Sequence, residues 1–425
     1  MTQLLDADVD WAEDNKTLVF EKLQVPEVIA AAYRTQDIRG PLTPEIAFDL
    51  SQLDRAFSPR VLALAAITRG LRERGVEVAL ILPTDEKLHR HFLNTNWAHL
   101  MAPSSFGESA SGFSDHMPAT EYGTTNAQSE VVSTVTELLL LQANIAKDVL
   151  GAFEWSMNEV TDNVLTHAED PLGGFVQVTK FLGRGRGPRR YEIVVADAGR
   201  GIGSSMRESF PELVDDIAAC KHALEPGITS GPGQGNGLAG IQSIAELAGG
   251  EISILSGHAY GQLNYSDETP VVFWRNVFEG VNFPGTVVTV SLPLDVELDL
   301  REALRFQSPD WEPFDLVEAK YEAEQEGTFV IRLADEPSGR GTRESGRLLR
   351  NKVQNLISRD EHAIVRIDFS EVTMVSSSFA DEFLGKLRLA MGPTAFDLHI
   401  LFVNLPPPVQ AVIAGAVSQR MRSGE

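Results

Sequence analysis

Cysteine is almost missing from this chain. Cys220 stands alone, which excludes an internal disulfide framework and a metal site built from several thiolates, and fits a reducing compartment. Long apolar runs are missing as well: none approaches the ~18 residues of a membrane span. The opening MTQLLDADVDWAEDN is acidic and lacks the charged-then-apolar order of a secretory signal. Basic residues are in short supply, with 36 Lys and Arg against 60 Asp and Glu and a formal net charge of -24. Such a surface repels phosphate backbones and anionic lipid, so nucleic acid and membrane are disfavoured as main partners. A soluble, cytoplasmic protein is the expectation. Arg184, Arg186, Arg189 and Arg190 form a local exception in GRGRGPRR, and their glycine neighbours point to a solvated hairpin tip.

What the chain does have, over 425 residues, is α/β patterning for several domains, some of it repeated. IAFDLSQLDRAFSPRVLALAAI (Ile46 to Ile67) aligns without a gap on VRIDFSEVTMVSSSFADEFLGK (Val365 to Lys386). Asp49 falls on Asp368, Ser51 on Ser370, Leu53 on Val372 and Leu64 on Phe383. Each copy has an apolar strand ending at Asp, a polar stretch and an amphipathic helix with apolar residues three and four apart. A second strand follows, VEVALILP at 76–83 and FDLHILFVN at 396–404, then a last helical segment near 86–100 and 406–417.

Between the copies, residues 127–168 have helical spacing and no proline, which predicts two long helices. The runs GFVQVTKFL, YEIVVADAG, GEISILSG, VVFWRNVF and TVVTVSLPL predict strands after them. Two helices over antiparallel strands make a two-layer α/β sandwich. The expected division is an α/β domain at 1–115, the sandwich at 120–296, an acidic connector at 297–325 and a second α/β domain at 326–425.

Three motifs lie in order on the sandwich. In NEVTDNVLTHA, Glu159 and Asn163 are four apart and share a helix face. An amide oxygen can hold magnesium together with phosphate oxygens, and a carboxylate one turn earlier can orient or deprotonate an attacking water or hydroxyl; any exposed helix also carries such residues. In VVADAGRGIG, Asp197 ends a strand ahead of Gly199, Gly201 and Gly203. The carboxylate can accept from an adenine amine and the glycines allow close backbone approach, although a plain glycine turn reads equally well. In SGPGQGNGLAGIQSIAELAGG, Gly233, Gly235 and Gly237 precede a helix beginning near Leu238, where free N–H groups can meet phosphate. No Lys-Ser/Thr follows as in a P-loop, and no strand leads directly in as in a dinucleotide fingerprint. GTVVTVSLP, with Gly285 and Thr286, closes the set.

In order and spacing these elements resemble the N, G1 and G2 boxes and final Gly-Thr of the GHKL superfamily: sensor histidine kinases, type II topoisomerases, MutL, heat-shock chaperones and anti-sigma serine kinases. The resemblance covers about two-fifths of the chain. It implies a Bergerat-type α/β sandwich that binds ATP and Mg²⁺, with Glu159 as general base and Asn163 as the metal ligand. Asp197 would read adenine with support from Thr286, and Gly235, Gly237 and Leu238 would meet the phosphates. Ser204–Pro232 would be a mobile lid. His167 falls where many members carry histidine, with helix packing an equal reading. IDFSEVTMVSSSFADEFLGKL resembles the core of STAS domains, the fold of anti-sigma-factor antagonists, in which a GHKL kinase phosphorylates a serine at the helix start. Ser377 and Ser378 occupy that serine pair, Ser378 the modified position. Ser376 replaces the family's Asp and Phe379 its Gly, and Ser376 reads equally well as a helix N-cap. The N-terminal copy has Phe57, Ser58 and Pro59 there and looks like a degenerate scaffold or docking copy.

The expected function is therefore an ATP/Mg²⁺-binding signalling or regulatory switch, with ATPase or protein serine kinase activity and a regulatory protein as partner. Homodimerisation is left open. The alternatives are an ATP-dependent conformational machine that dimerises on ATP and a non-catalytic ATP sensor.

Overall fold

The computed structural model describes residues 9–12, 14, 16–40, 45–109, 116–142, 145–167, 173–183, 189–230, 236–277, 283–307, 315–323, 325, 327–336 and 339–423. The chain divides into two compact units, residues 1–132 with 155–311, and residues 133–154 with 312–425.

The first unit opens with a small α/β module. Strands β1 (Val9–Trp11) and β2 (Thr17–Phe20) pair antiparallel, while β2, β3 (Glu45–Asp49) and β4 (Glu77–Ile81) run parallel. Parallel neighbours need crossovers, supplied here by α1 (Val25–Thr35) and α2 (Ser58–Glu73). Gln24 and Glu27 cap the start of α1 reciprocally, with Pro26 in its first turn. Asp85 caps α3 (Glu86–Asn94) by accepting the Lys87 and Leu88 N–H groups, and α4 (Trp97–Met101) follows.

The middle of the chain forms a seven-stranded antiparallel sheet in the order β10-β9-β8-β11-β7-β6-β5. Its strands are β5 (His116–Tyr122), β6 (Gly174–Phe181), β7 (Arg190–Asp197), β8 (Glu251–Gly257), β9 (Ala259–Asn264), β10 (Val271–Asn276) and β11 (Phe283–Pro293). The long helices α5 (Thr125–Leu140) and α6 (Lys147–His167) precede β6. Helices α7 (Gly201–Ser209), α8 (Asp216–His222) and α9 (Gly237–Ala248) lie between β7 and β8, and α10 (Leu300–Ala303) follows β11.

Strand side chains alternate between faces, and both faces of this sheet are used. Phe175, Val194, Ala196 and Val287 share one apolar core with the N-terminal module. Val195 and Val288, next along, line a cavity on the other face. The unbroken apolar run in YEIVVAD follows from burial on both sides. The link on the first face is α2, which carries VLALAAI, buried from Val61 to Ile67. A helix apolar all round has to be covered all round, and α2 packs on α1 and β4 of its own module and on β7 and β11 of the large sheet.

The second unit holds a parallel sheet β12-β13-β14, formed by β12 (Thr328–Arg332), β13 (Ile364–Asp368) and β14 (Ile400–Val403). Helix α11 (Leu316–Tyr321) precedes it, α12 (Arg343–Ile357) crosses from β12 to β13, and α13 (Ser377–Ala380) leads through a π-helical turn into α14 (Lys386–Met391). Helices α15 (Pro393–His399) and α16 (Pro407–Ser423) flank β14. Residues 133–154, the facing ends of α5 and α6, belong to this unit. They are held by α12 through polar groups. The Asn351 amide donates to the Leu141 carbonyl at 3.0 Å, and the Asn355 amide to those of Leu140 and Gln142 at 2.9 and 2.6 Å. Lys352, only 1% exposed, places Nζ 2.5 Å from Glu137 and 2.6 Å from Glu336. Burial pulls its ammonium down, yet the two carboxylates outweigh that and hold it above the ordinary lysine range. The Tyr321 hydroxyl donates to the second Glu137 oxygen.

The repeated pairs occupy matching places. Leu53 and Val372 are buried, as are Leu64 and Phe383. Asp49 Oδ1 accepts the Ser51 N–H at 2.8 Å and Asp368 Oδ1 the Ser370 N–H at 2.9 Å. The repeat is longer than the gapless alignment: β2-α1-β3-α2-β4 matches β12-α12-β13-α13/α14-β14 in element order, with α15 added before β14. Two expectations are corrected. Only Ile400–Val403 of FDLHILFVN is strand, because Pro393 starts a helix that runs to His399. The 297–325 stretch carries α10 and α11 and is not a bare connector.

Candidate functional site

Helix α6 turns one polar stripe toward the cavity. Glu159, Asp162, Asn163 and Thr166 follow the i, i+3, i+4, i+7 spacing of one helix face, and all four line a space of about 420 Å³, within the range of small-molecule sites. Burial, reinforced by the negative charge of Asp162, pushes the Glu159 carboxyl up to about 7. Gly237, the first residue of α9, packs directly on it: a Cβ there would stand 2.5 Å from Glu159 Oε2. A side chain at 237 would thus fill the space between a carboxylate and the N–H groups of a helix start.

A second group of lining residues gathers at the end of β7. Asp197 is 5% exposed, and its Oδ1 accepts the Gly199 N–H at 2.8 Å. Gly285 has φ +86, and a Cβ on it would meet the Asp197 carbonyl oxygen at 2.0 Å, so only glycine fits between β11 and this aspartate. Ser256 Oγ ties the turn together. It accepts the Ile202 N–H at 2.8 Å, donates to the Gly285 carbonyl at 3.3 Å and lies 3.0 Å from Thr286 Oγ1. Val160, Val164, Val195, Ile202, Met206 and Val288 give this part of the cavity apolar walls. An apolar slot with a nearly buried carboxylate acceptor suits a flat heterocycle bearing an amine.

Helix α9 completes the enclosure. Its Gly240 allows a close approach, since a Cβ would lie 2.1 Å from the Trp155 ring. Asn236, just before the helix, accepts the Gly227 N–H at 2.9 Å through Oδ1 and bridges to the segment that follows α8. The expected mobile lid is folded into α7 and α8 over its described part, and Asp216 anchors it. Its carboxylate accepts from Arg207 at 2.5 Å, from the His258 backbone N–H at 2.7 Å and lies 2.8 Å from His258 Nδ1. Burial raises this carboxyl, and those hydrogen bonds outweigh it and hold it below the usual range. Gly203 serves the anchor, as a Cβ there would sit 2.0 Å from Asp216 Oδ1. Cys220, fully buried beneath, has its thiol pushed up by burial and is an inert packing residue.

Of the residues singled out in the sequence, Glu159, Asn163, Asp197, Gly201, Gly237, Leu238 and Thr286 line the one cavity. Gly199 and Gly203 stand behind it, on Asp197 and Asp216. Gly233 and Gly235 lie outside the described residues, as do Arg184 and Arg186, and His167 ends α6. Arg189 pairs with Asp295, and Arg190 stacks over Phe181. Ser377 and Ser378 belong to the second unit. Ser377 is exposed, Ser378 Oγ lies 3.0 Å from Ser376 Oγ, and Ser376 caps the helix by accepting the Phe379 N–H at 3.0 Å. Sequence reasoning passed over Asp162, Asn236, Ser256 and Gln307. Asp162 and Asn236 stand inside motifs already noticed, while Ser256 and Gln307 carry no local signal.

No group of three or more His, Cys, Asp or Glu among the described residues could hold a metal by itself. A magnesium ion that takes most of its ligands from phosphate and water fits one amide oxygen on a polar helix stripe. No helix among the described residues is long and apolar enough to cross a membrane.

Comparison with known families agrees with this geometry. Residues 154–296 match the family described as histidine kinase-, DNA gyrase B- and HSP90-like ATPases, and residues 345–410 match a STAS-like domain of unknown function. The chain therefore carries a GHKL-type ATPase domain and a STAS-like domain. No curated protein and no solved structure matches it.

Proposed function

We propose that this protein is an ATP- and Mg²⁺-binding regulatory switch in which the GHKL domain acts as an ATPase or serine kinase and the STAS-like domain engages a regulatory protein. The observation that carries this reading is the convergence of Glu159, Asn163, Asp197, Gly237 and Thr286, far apart in sequence, on one cavity. Asp197 accepts the base amine, with Ser256 and Thr286 fixing the turn behind it. The start of α9 donates backbone N–H groups to phosphate. Asn163 offers an amide oxygen to magnesium, which when bound neutralises phosphate charge. Glu159, with a carboxyl near 7, is matched to taking a proton from water or a hydroxyl at neutral pH. Ser377, exposed at a helix start, and Ser378 are the candidate acceptors if the phosphoryl group goes to protein.

The test is incubation of the full chain with labelled ATP and Mg²⁺, followed by separation of protein-bound label from free phosphate. Asp197→Asn should weaken ATP binding by about 1.5–3 kcal/mol, the range for a hydrogen bond to a charged group. Glu159→Ala should keep binding and lower turnover by roughly 10²–10⁴-fold. Unchanged affinity in a folded Asp197→Asn variant would remove the nucleotide reading. Binding without release or transfer by the wild type would leave a sensor in place of an enzyme.

A further inference from the structure

We propose that Gln307 touches the terminal phosphate of the bound nucleotide and lets the site tell ATP from ADP. This rests on the nucleotide-binding role proposed above and adds a residue to it. Gln307 lies beyond the segment that matches the ATPase family, which ends at 296, yet it lines the cavity with Glu159, Asn163, Asn236 and Gly237.

The path of the chain accounts for this. Asp299 caps α10, its Oδ1 accepting the Glu302 N–H at 3.0 Å. Leu300, Ala303 and Leu304 are buried. Leu304 Cδ2 lies 2.9 Å from the place a Gly240 Cβ would take, the same place that would strike the Trp155 ring. The segment is thus seated against α9 beside Trp155, one turn along α6 from Glu159. The Gln307 N–H then bonds the Leu304 carbonyl at 2.9 Å, a turn that returns the side chain to the lining. Glu159, as general base, marks the end of the site where the terminal phosphate reacts. Among the described residues the lining contains no lysine or arginine. Side-chain donors for phosphate there are amides and hydroxyls, and the Gln307 amide offers two N–H groups and no negative charge. The chain enters the second unit at residue 312, so a contact at 307 registers the terminal phosphate on the segment leading into the STAS-like unit.

Calorimetric titration of the full chain with Mg²⁺ and either ADP or a non-hydrolysable ATP analogue tests this. Gln307→Ala should weaken the ATP analogue roughly tenfold or more, as loss of a hydrogen bond to a charged partner does, and leave ADP binding unchanged. Gln307→Glu, which sets a negative charge against phosphate, should weaken the ATP analogue further. In the wild type, amide exchange over residues 300–307 should slow with the analogue and not with ADP, and this difference should vanish in Gln307→Ala. Parallel losses for both nucleotides, or an unchanged analogue-to-ADP ratio in either variant, would overturn the assignment and leave the nucleotide site standing. A wild type that binds neither nucleotide would remove both.

Discussion

The two α/β modules share a strand order and the same aspartate turn, but they are joined to their surroundings by opposite chemistry. The N-terminal module is attached through α2, whose buried VLALAAI run packs on β7 and β11, with Arg60 and Arg69 at its flanks reaching Tyr260 and Glu121. The C-terminal module holds residues 133–154 through Asn351, Asn355 and the buried Lys352 between Glu137 and Glu336. Apolar burial is non-directional and tolerates repacking. A buried ionic and amide junction is directional: its net contribution to stability is small, but removing one partner strands the others. One module shares an apolar core with the large sheet, and the other holds residues 133–154 by directional polar contacts.

The largest effect should come from breaking the ionic junction on one side. Lys352→Ala leaves Glu336 buried without its cation and Glu137 with only the half-exposed Lys320 at 3.2 Å, and removing one partner of such a group costs about 3–5 kcal/mol. Lys352→Met combined with Glu137→Gln and Glu336→Gln removes the charges together and should recover most of that loss. Chemical denaturation of the three proteins measures both. A triple variant as unstable as the single one would show that packing, not charge, holds this junction.

At the apolar junction the counterpart is Leu64→Ala, which leaves a cavity at a fully buried site on α2 and should cost about 2–5 kcal/mol. No charge is involved, so the loss should be the same at low and high salt, whereas partly exposed ion pairs are screened. A strong salt dependence of the Leu64→Ala effect would contradict the apolar account.

How much of this was legible beforehand follows the same division. The repeat could be read because its buried positions alternate with period 2 and then 3.6 around an aspartate turn. The cavity residues on α6, β7 and α9 could be read because glycine and helix spacing are local signals. Strand β5 could not: HMPATEY contains Pro118, and its pairing with β6 shifts register between Met117 and Thr120. The polar junction was hidden because Glu137, Lys352 and Glu336 look like three solvated charges until tertiary packing buries them. Gln307 was hidden in a stretch read as acidic connector, and only the burial of Leu300 and Leu304 turns that stretch back to the site.

Two carboxyls on α6 sharpen the contrast between junction and site. Glu154, in the second unit, is raised to about 7 by burial and by Asp315, against the Leu316 N–H and Arg359. Glu159 is raised to about 7 by burial and by Asp162. A carboxyl raised above its ordinary 4.5 binds protons that the unfolded chain has released, so each adds stability as pH falls from above about 7 toward 4.5. Under the role proposed for Glu159, turnover has the opposite sign, since a general base works only when ionised, and should fall as pH drops through about 7. Single-turnover rates and thermal melts across this range separate the two. Asp162→Asn should move the acid limb of the rate to lower pH, while Glu154→Gln should leave the limb in place and flatten the pH dependence of stability.

The smallest expected effect lies at the helix starts of the two copies, where Ser376 corresponds to Phe57. Ser376 Oγ accepts the Phe379 N–H at 3.0 Å and lies 3.0 Å from the Gly341 carbonyl, so the hydroxyl both caps the helix and ties it to the loop before α12. Phe57 makes no side-chain cap, and Pro59 in the first turn removes one donor that would have needed it. Ser376→Ala should therefore cost about 1 kcal/mol, the usual value of an N-cap. Phe57→Ser should gain less than that, because Pro59 has already relieved the helix start and half of the Phe57 ring is buried. Urea melts with unchanged slopes would register both. The same substitution separates structure from signalling at this turn. If Ser376 is a cap, its loss lowers stability and leaves any label transferred to Ser377 or Ser378 in place. If Ser376→Ala instead keeps full stability while transfer or partner binding changes, the hydroxyl acts on the partner and the helix is capped by its backbone alone.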